Sequence, residues 1–239
     1  MAPGRPRAGL GHDPDQPLVG GRALIGRLLH AFHDNGGTVR TGAEMTELLA
    51  PYGLECVSAG DLDLPEPVEN GMMFAENAAI KALAAAKATG LPALADDSGL
   101  AVDALDGAPG LFTADWAGQP RDWMLAMTRV KRELELRDVE PEGAAARFVS
   151  ALVVAWPDGE TLLAEGRVFG HLTFPPRGKA GFGYDPVFVP EGETRTFSEL
   201  TREEKHGLRR VNGRLEGLSH RARAFIRLID KAGLKEVAR

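Results

Sequence analysis

The sequence predicts an α/β domain on a mixed sheet, because helical and extended patterns alternate along its 239 residues. Three stretches carry that expectation: the Ala-rich run FAENAAIKALAAAKAT, the continuous apolar run FVSALVVAW, and the amphipathic run SHRARAFIRLIDK near the end. A hydrophobic content of 44% and a charged content of 26% suit an ordinary globular chain, long enough for one large domain or two lobes sharing a sheet.

Taken in order, residues 1–20 are rich in Gly, Pro and Arg without an apolar signal core, which predicts a loose tail ahead of a single domain over 21–235. Leu24, Ile25, Leu28, Leu29 and Phe32 fit a helix better than a strand. Residues 33–37 (HDNGG) then read as a turn or a loop able to approach phosphate, and a helix over 42–50 is stopped by Pro51. Phe74–Thr89 has strong helix propensity, one face formed by Phe74, Ala78, Leu83 and Ala86, and Gly90 as its C′ residue. PALADD follows as a short buried strand ending in acids.

A helix over 121–137 places Trp123, Met127, Val130 and Leu134 at helical spacing. Residues 148–156 form a strand, Pro157-Asp158-Gly159 a turn, and 161–174 the return strand of an antiparallel hairpin. Asp185-Pro186 precedes another short apolar run, VFVP. The last helix, over 219–231, has Ser219 as N-cap and Ala222, Phe225, Ile226 and Ile229 on one side.

Composition excludes several classes. Cys56 is the only cysteine, so there is no intrachain disulfide and no cysteine-based metal cluster, which fits a reducing compartment. No apolar run approaches the roughly 20 residues of a membrane span, and the cytoplasm is the expected location. A net charge of -6 argues against a broad nucleic-acid surface, yet leaves room for the local basic pocket that a free nucleotide needs.

The chemistry-bearing residues cluster in four places. Asp96-Asp97-Ser98-Gly99 could hold a hard cation, or let one acid bind metal while the other orients water, with Ser98 donating to a phosphate oxygen; the bland alternative is a strand-to-turn junction. Glu69 and Glu76 flank the start of the Ala-rich helix; either could complete a metal site, although Glu76 also suits the helix dipole. Lys81 could reach phosphate or the acids, or be a solvated lysine. GKAGFGYD, residues 178–185, lets backbone approach a flat ligand while Phe182 stacks and Tyr184 and Asp185 offer hydrogen bonds; otherwise it is a glycine-rich turn. Lys205, His220 and Arg221 supply cations and donors for a triphosphate or a base carbonyl, though each alone suits a surface charge.

Together, FAENAAIKA, LPALADDSGLAVDALDGAPG, ARFVSALVVAWPDG, PPRGKAGFGYDPVF, TFSELTREEK and SHRARAF, in that order, resemble the inosine triphosphate pyrophosphatase (Ham1-like) family. The resemblance implies an elongated α/β fold with a twisted mixed sheet flanked by helices, two lobes around a central active-site cleft, and a homodimer. It further implies magnesium-dependent cleavage between the α and β phosphates of inosine, deoxyinosine and xanthosine triphosphates, giving monophosphate and pyrophosphate, with no polymeric nucleic acid or membrane as partner. On this carry-over Asp97 is general base and metal ligand, and Glu69 is the second metal carboxylate. Asn35, Ser98, Phe182, Gly183, Tyr184, Asp185, Lys205, His220 and Arg221 bind substrate, while Lys81, Asp96 and Glu76 support the site.

Three departures qualify the match. In HDNGGTVR, Asn35 is present but Thr38 stands where the family has a phosphate-binding lysine, with Arg40 as a shifted substitute. Asp115, in Thr113-Ala114-Asp115-Trp116, replaces a family arginine. Residues 209–218 look like an insertion that would set Lys205 apart from His220. These features predict an intact metal side with weakened phosphate binding. Two alternatives stand beside that reading: a nucleotide-binding protein of poor activity, and a Maf-like pyrophosphatase of other base preference.

Overall fold

The computed structural model describes residues 18–19, 22–23, 27–30 and 38–237, with side chains from Glu44 onward. A short antiparallel pair, β1 (Leu18–Val19) and β2 (Arg22–Ala23), comes first, and residues 1–17 of the expected tail lie outside the described residues. The chain continues through β3 (Arg27–His30), α1 (Thr38–Leu49), β4 (Glu55–Ser58), α2 (Phe74–Thr89), β5 (Ala93–Val102) and α3 (Trp123–Glu135). It then forms β6 (Ala145–Ala155), β7 (Thr161–Leu172), β8 (Phe188–Pro190), α4 (Arg202–His206), β9 (Arg209–Val211), β10 (Arg214–Glu216) and α5 (His220–Ala232). Among the described residues no helix is long and apolar enough to cross a membrane.

Six strands make one mixed sheet in the order β4-β3-β5-β6-β7-β8, with β3 parallel to β4 and β5 and the remaining pairs antiparallel. Leu28 and Leu29, expected on a helix, lie in β3, opposite Cys56 and Val57 of β4, and Leu29 also faces Ala93 of β5. A parallel strand flanked on both sides carries a continuous rather than an alternating apolar run, which periodicity alone cannot separate from a helix. β3 pairs with β5 only at Ala93 and Leu94. Among the described residues no strand pairs with that side of β5 from Ala95 onward until Ala101 bridges Pro109.

The acids therefore do not end a strand. β5 runs on through them, with Asp96 opposite Leu152, Asp97 opposite Ala151 and Ser98 opposite Ser150. Strand alternation sends Ala93, Ala95 and Asp97 to the face that α2 covers through Ala78, Ala82, Ala85 and Ala86. It sends Leu94, Asp96 and Ser98 to the opposite face, where Leu152, Ala164, Phe225 and Leu228 pack beneath α5. Beyond Gly99 a third cluster, containing Leu100, Val102, Phe148, Val168 and Phe188, is closed by Met127, Val130 and Leu134 of α3.

Small residues set how closely layers approach. A Cβ at Gly99 would run into Thr113 Oγ1 and, at 2.6 Å, the Gly110 carbonyl. Thr113 fastens this crossing by accepting from the Leu100 amide at 3.1 Å and donating to the Gly110 carbonyl at 2.7 Å. Gly166 lies across the sheet in the row Ser98–Ser150–Gly166, and a Cβ there would meet the His220 carbonyl and the Ala224 amide. The first turn of α5 thus sits directly on β7.

The segment 209–218 forms the β9–β10 hairpin around Asn212 and Gly213, both at positive φ (51° and 79°), as a tight two-residue hairpin loop requires. It leaves and returns at one point, since the Ser219 amide donates to the Lys205 carbonyl at 3.0 Å. Lys205 is consequently not displaced from the start of α5, because a closed hairpin adds chain without separating its ends.

Gly166→Ala is expected to lower stability by about 1–3 kcal/mol, since the overlap is with backbone rather than with a movable side chain. Urea unfolding measures it, and wild-type stability in this variant would contradict the close approach of α5.

Candidate active site

On the α2 face, Lys81 donates to Asp97 Oδ1 at 3.0 Å and to Glu69 Oε2 at 3.2 Å. Burial opposes the charge on Lys81, but Asp97 and Glu69 outweigh it and raise its pKa, so it is an ammonium held by two carboxylates. Burial is also the largest influence on Asp97, and only partly countered by Lys81 it pushes that carboxyl up to about 6. Glu69 comes from the loop before α2, which is fastened by Asn77 accepting from the Gly71 amide at 2.9 Å and Glu76 accepting from the Met72 amide at 2.6 Å. Glu76 thereby ties the loop to the start of α2.

On the opposite face, Arg221 at the start of α5 reaches Asp96 through Nε (2.8 Å) and Nη2 (2.6 Å), Glu44 of α1 through Nη1 (3.2 Å) and Ser98 Oγ through Nη2 (3.2 Å). Ser150 donates to the second Asp96 oxygen at 2.7 Å. Burial alone would raise Glu44, but Arg221 and His206 beside it hold it at about 2. Its free oxygen lies 2.8 Å from His206 Nδ1, in ion-pair range but outside hydrogen-bond geometry. Burial likewise opposes the Arg221 charge, and Asp96 and Glu44 override it and raise its pKa. Asp96 is therefore an anchor for Arg221, not a partner of Asp97 at one cation.

A cleft opens beside Ser98 and Gly99, lined by Phe148, Phe182, Lys205, His220, Arg221 and Trp123 among others. Phe182 leaves 37% of its surface open, so its ring can meet a ligand. The 178–185 loop is shaped by Asp185, which accepts from the Phe182 amide at 3.0 Å and pairs with Lys205 at 2.6 Å. Gly181, at φ +76°, passes so close to this carboxylate that a Cβ would collide with it. Lys205 is buried and lies 4.8 Å and 5.9 Å from the ring centres of Phe197 and Phe182. The His220 ring stacks on Phe148 with centroids 5.0 Å apart. Burial, then Arg221 and Lys205, push its pKa well below the usual value, so the imidazole is neutral, and its Nδ1 is buried with no hydrogen-bond partner among the described residues.

The structure thus gathers Asp97, Glu69 and Lys81 on one side of β5, and Ser98, Arg221, His220, Lys205 and Phe182 on the other. Tyr184 and Asp185 line the cleft, but the Tyr184 ring is buried with its hydroxyl donating to the Thr113 carbonyl at 3.3 Å, and Asp185 serves Lys205 and the loop. Asn35 lies outside the described residues, as do the side chains of Thr38 and Arg40, whose backbone belongs to α1. Asp115 sits exposed on a 3-10 turn. Sequence reasoning missed Glu44, Asn77, Ser150 and the cleft position of Trp123. Nothing local in the sequence marked Glu44 or Ser150.

Comparison with known proteins agrees with this geometry. The model of the Ham1 family matches residues 42–231. A dITP/XTP pyrophosphatase of Rhodopseudomonas palustris is 57% identical over 87% of this chain and 97% of its own length, and one of Rhizobium meliloti is 53% identical over 85% and 95%. The solved structure of a HAM1 protein from Coxiella burnetii superposes with a TM-score of 0.72 at 35% identity, covering 83% of this chain and 94% of that one. With the fold, the placement of the motifs and the relatives in agreement, the chain belongs to the Ham1 family.

Proposed function

We propose that this protein hydrolyses non-standard purine nucleoside triphosphates (dITP, XTP and ITP) between the α and β phosphates, releasing the monophosphate and pyrophosphate and so cleaning the nucleotide pool. The observation that carries the reading is that adjacent residues of β5 serve two polar groups: Asp97 joins Glu69 at Lys81 on one face, and Ser98 lines a cleft carrying Phe182, Lys205, His220 and Arg221 on the other. The relatives named dITP/XTP pyrophosphatase support the choice of substrate.

Asp97 and Glu69 suit a divalent cation, since both turn hard oxygen donors onto one cationic centre, the Lys81 ammonium. We assign that cation as magnesium, which when bound neutralises phosphate oxygens. The chain's own groups supply the rest. Asp97 is deprotonated at neutral pH yet basic enough to take a proton from the attacking water. Lys81 orients it. Lys205, fixed by Asp185, offers positive charge to the substrate, and Phe182 offers a stacking face.

Four of the five Arg221 N–H donors are committed to Asp96, Glu44 and Ser98, so its position is set before substrate arrives. Donors aimed at a purine 6-oxo group would be left unpaired by an amino group, at roughly 1–3 kcal/mol each. The expected cytoplasmic location and homodimeric state belong to this proposal too. Thr38 at the head of α1 and Asp115 favour weakened phosphate binding over full family activity as the second reading.

Pyrophosphate release from dITP and XTP should exceed that from dATP, and Asp97→Asn should lower kcat at least about a hundredfold while the protein stays folded. Equal turnover of dATP, or a fully active Asp97→Asn, would sink the assignment. Asp96→Asn should instead cost about 3 kcal/mol of stability, because it leaves a buried guanidinium short of its partner. Calorimetric unfolding separates the two variants.

The pH dependence follows from Asp97. Its deprotonated form is the base and a bound cation favours that form, so the fall of kcat/KM on acidification should move to lower pH as divalent cation is raised. Stability runs the other way: a carboxyl raised in the folded state binds its proton more tightly there. Its contribution therefore grows as pH falls through about 6 and levels off below the unfolded value near ~4. An acid limb that does not respond to divalent cation would count against Asp97 as the cation-bound base.

A further inference from the structure

We propose that Trp123 is a specificity-determining residue, whose indole forms one wall of the base slot and sets the size of base admitted. The inference rests on the nucleotide reading above and goes beyond the residues assigned there.

Trp123 is the first residue of α3, placed by Asp122, whose side chain accepts from the Leu125 amide at 3.1 Å. Side chains in a first turn lean back past the helix start, here toward the cleft. By spacing, Trp123 continues the stripe of Met127, Val130 and Leu134, and a purely structural residue of that stripe would be covered as they are. Those three are buried, whereas Trp123 is only partly so and lines the cleft beside Phe148, Phe182, Lys205 and His220.

Its seat is built. The Tyr184 ring meets it edge-on, centroids 5.8 Å apart at 73°, and Tyr184 is itself buried and tied to the Thr113 carbonyl. Gly183, at φ +66°, turns a bare backbone toward the indole: a Cβ there would touch the six-membered ring at 3.8 Å. The indole is therefore held from behind while part of it remains open. With Phe182 it gives the cleft two accessible aromatic surfaces, a lining suited to a flat heteroaromatic base. It can act through area and shape, which weigh base size, while discrimination at the 6-position is left to the polar groups.

The test uses full-length protein. In otherwise wild-type protein, binding of the non-hydrolysable α,β-imido analogue of dITP is followed by calorimetry and by tryptophan fluorescence, with Trp116 and Trp156 as the other emitters. Trp123→Phe should remove most of the quenching while calorimetric binding persists. In otherwise wild-type protein, Trp123→Ala should raise KM for dITP about tenfold with kcat within about threefold, and narrow the kcat/KM preference for dITP over dTTP. Trp123→Phe should restore most of the KM.

Quenching that survives Trp123→Phe, or a Trp123→Ala enzyme with unchanged KM and purine preference, overturns the proposal even though the nucleotide reading stands. Absence of calorimetric binding of the analogue with Trp123 intact overturns the nucleotide reading, and this inference falls with it.

Discussion

The arrangement depends on one short pairing: among the described residues β3 pairs with β5 at two positions only, Leu29–Ala93 and His30–Leu94. A strand paired on both sides buries its edges, and its two faces are then sealed from one another. Past Leu94 no described strand pairs with β5 on that side until Ala101 bridges Pro109, and there residues that alternate to opposite sides can serve one ligand. Asp97 and Ser98 are adjacent in sequence and opposite in direction. Only at such an edge do their neighbourhoods, the carboxylate–lysine group and the aromatic cleft, combine. The turn-like composition of the DDSG run is tolerated inside a strand because each polar side chain finds a partner on its own face. Gly99 is required for a separate reason, the chain crossing it at Thr113 and Gly110.

The two faces treat their cations differently. Arg221 and Asp96 leave only 4% and 3% of their side chains exposed, and the planar guanidinium is bonded along its length. A charge so deeply placed is stabilised only by complete pairing, and once paired it does not exchange partners easily. Lys81 is a compact charge between Asp97 and Glu69, whose side chains are 17% and 24% exposed. That group can accept an incoming cation or phosphate by small shifts. Fixed geometry beside the base slot and adjustable geometry beside the phosphates are what a positioned water and a released product each demand.

Much of this was readable before any coordinates. α2, α3, α5 and the β6–β7 hairpin follow from propensity, spacing and turn residues, all local signals. β3 was misread because a strand flanked on both sides loses the alternation that distinguishes it. Site membership was readable where residues lie in contiguous motifs, as with Asp97, Phe182 and His220. It was not readable for Glu44 and Ser150, whose partners lie 177 and 54 residues away, at Arg221 and Asp96. Pairings of that separation leave no trace in composition. Tyr184 and Asp185 stand between these cases: the motif marked them, but not that one faces inward and the other spends its charge on Lys205.

Glu44 gives those distant pairings a consequence. It lies on α1, the helix that begins at Thr38, and its carboxylate is held at about 2 by Arg221 and His206 despite burial. The helix following the expected phosphate loop is thus joined by charge to Arg221, which the proposed function places on the base side of the site. Thr38 stands at the head of that helix and Glu44 nearly two turns along it, so they can change independently. The phosphate role proposed for position 38 is separate from the Glu44–Arg221 link. A weakened grip on the phosphates, as proposed for Thr38 and Asp115, is therefore compatible with an Arg221 still fully paired to Asp96 and Glu44.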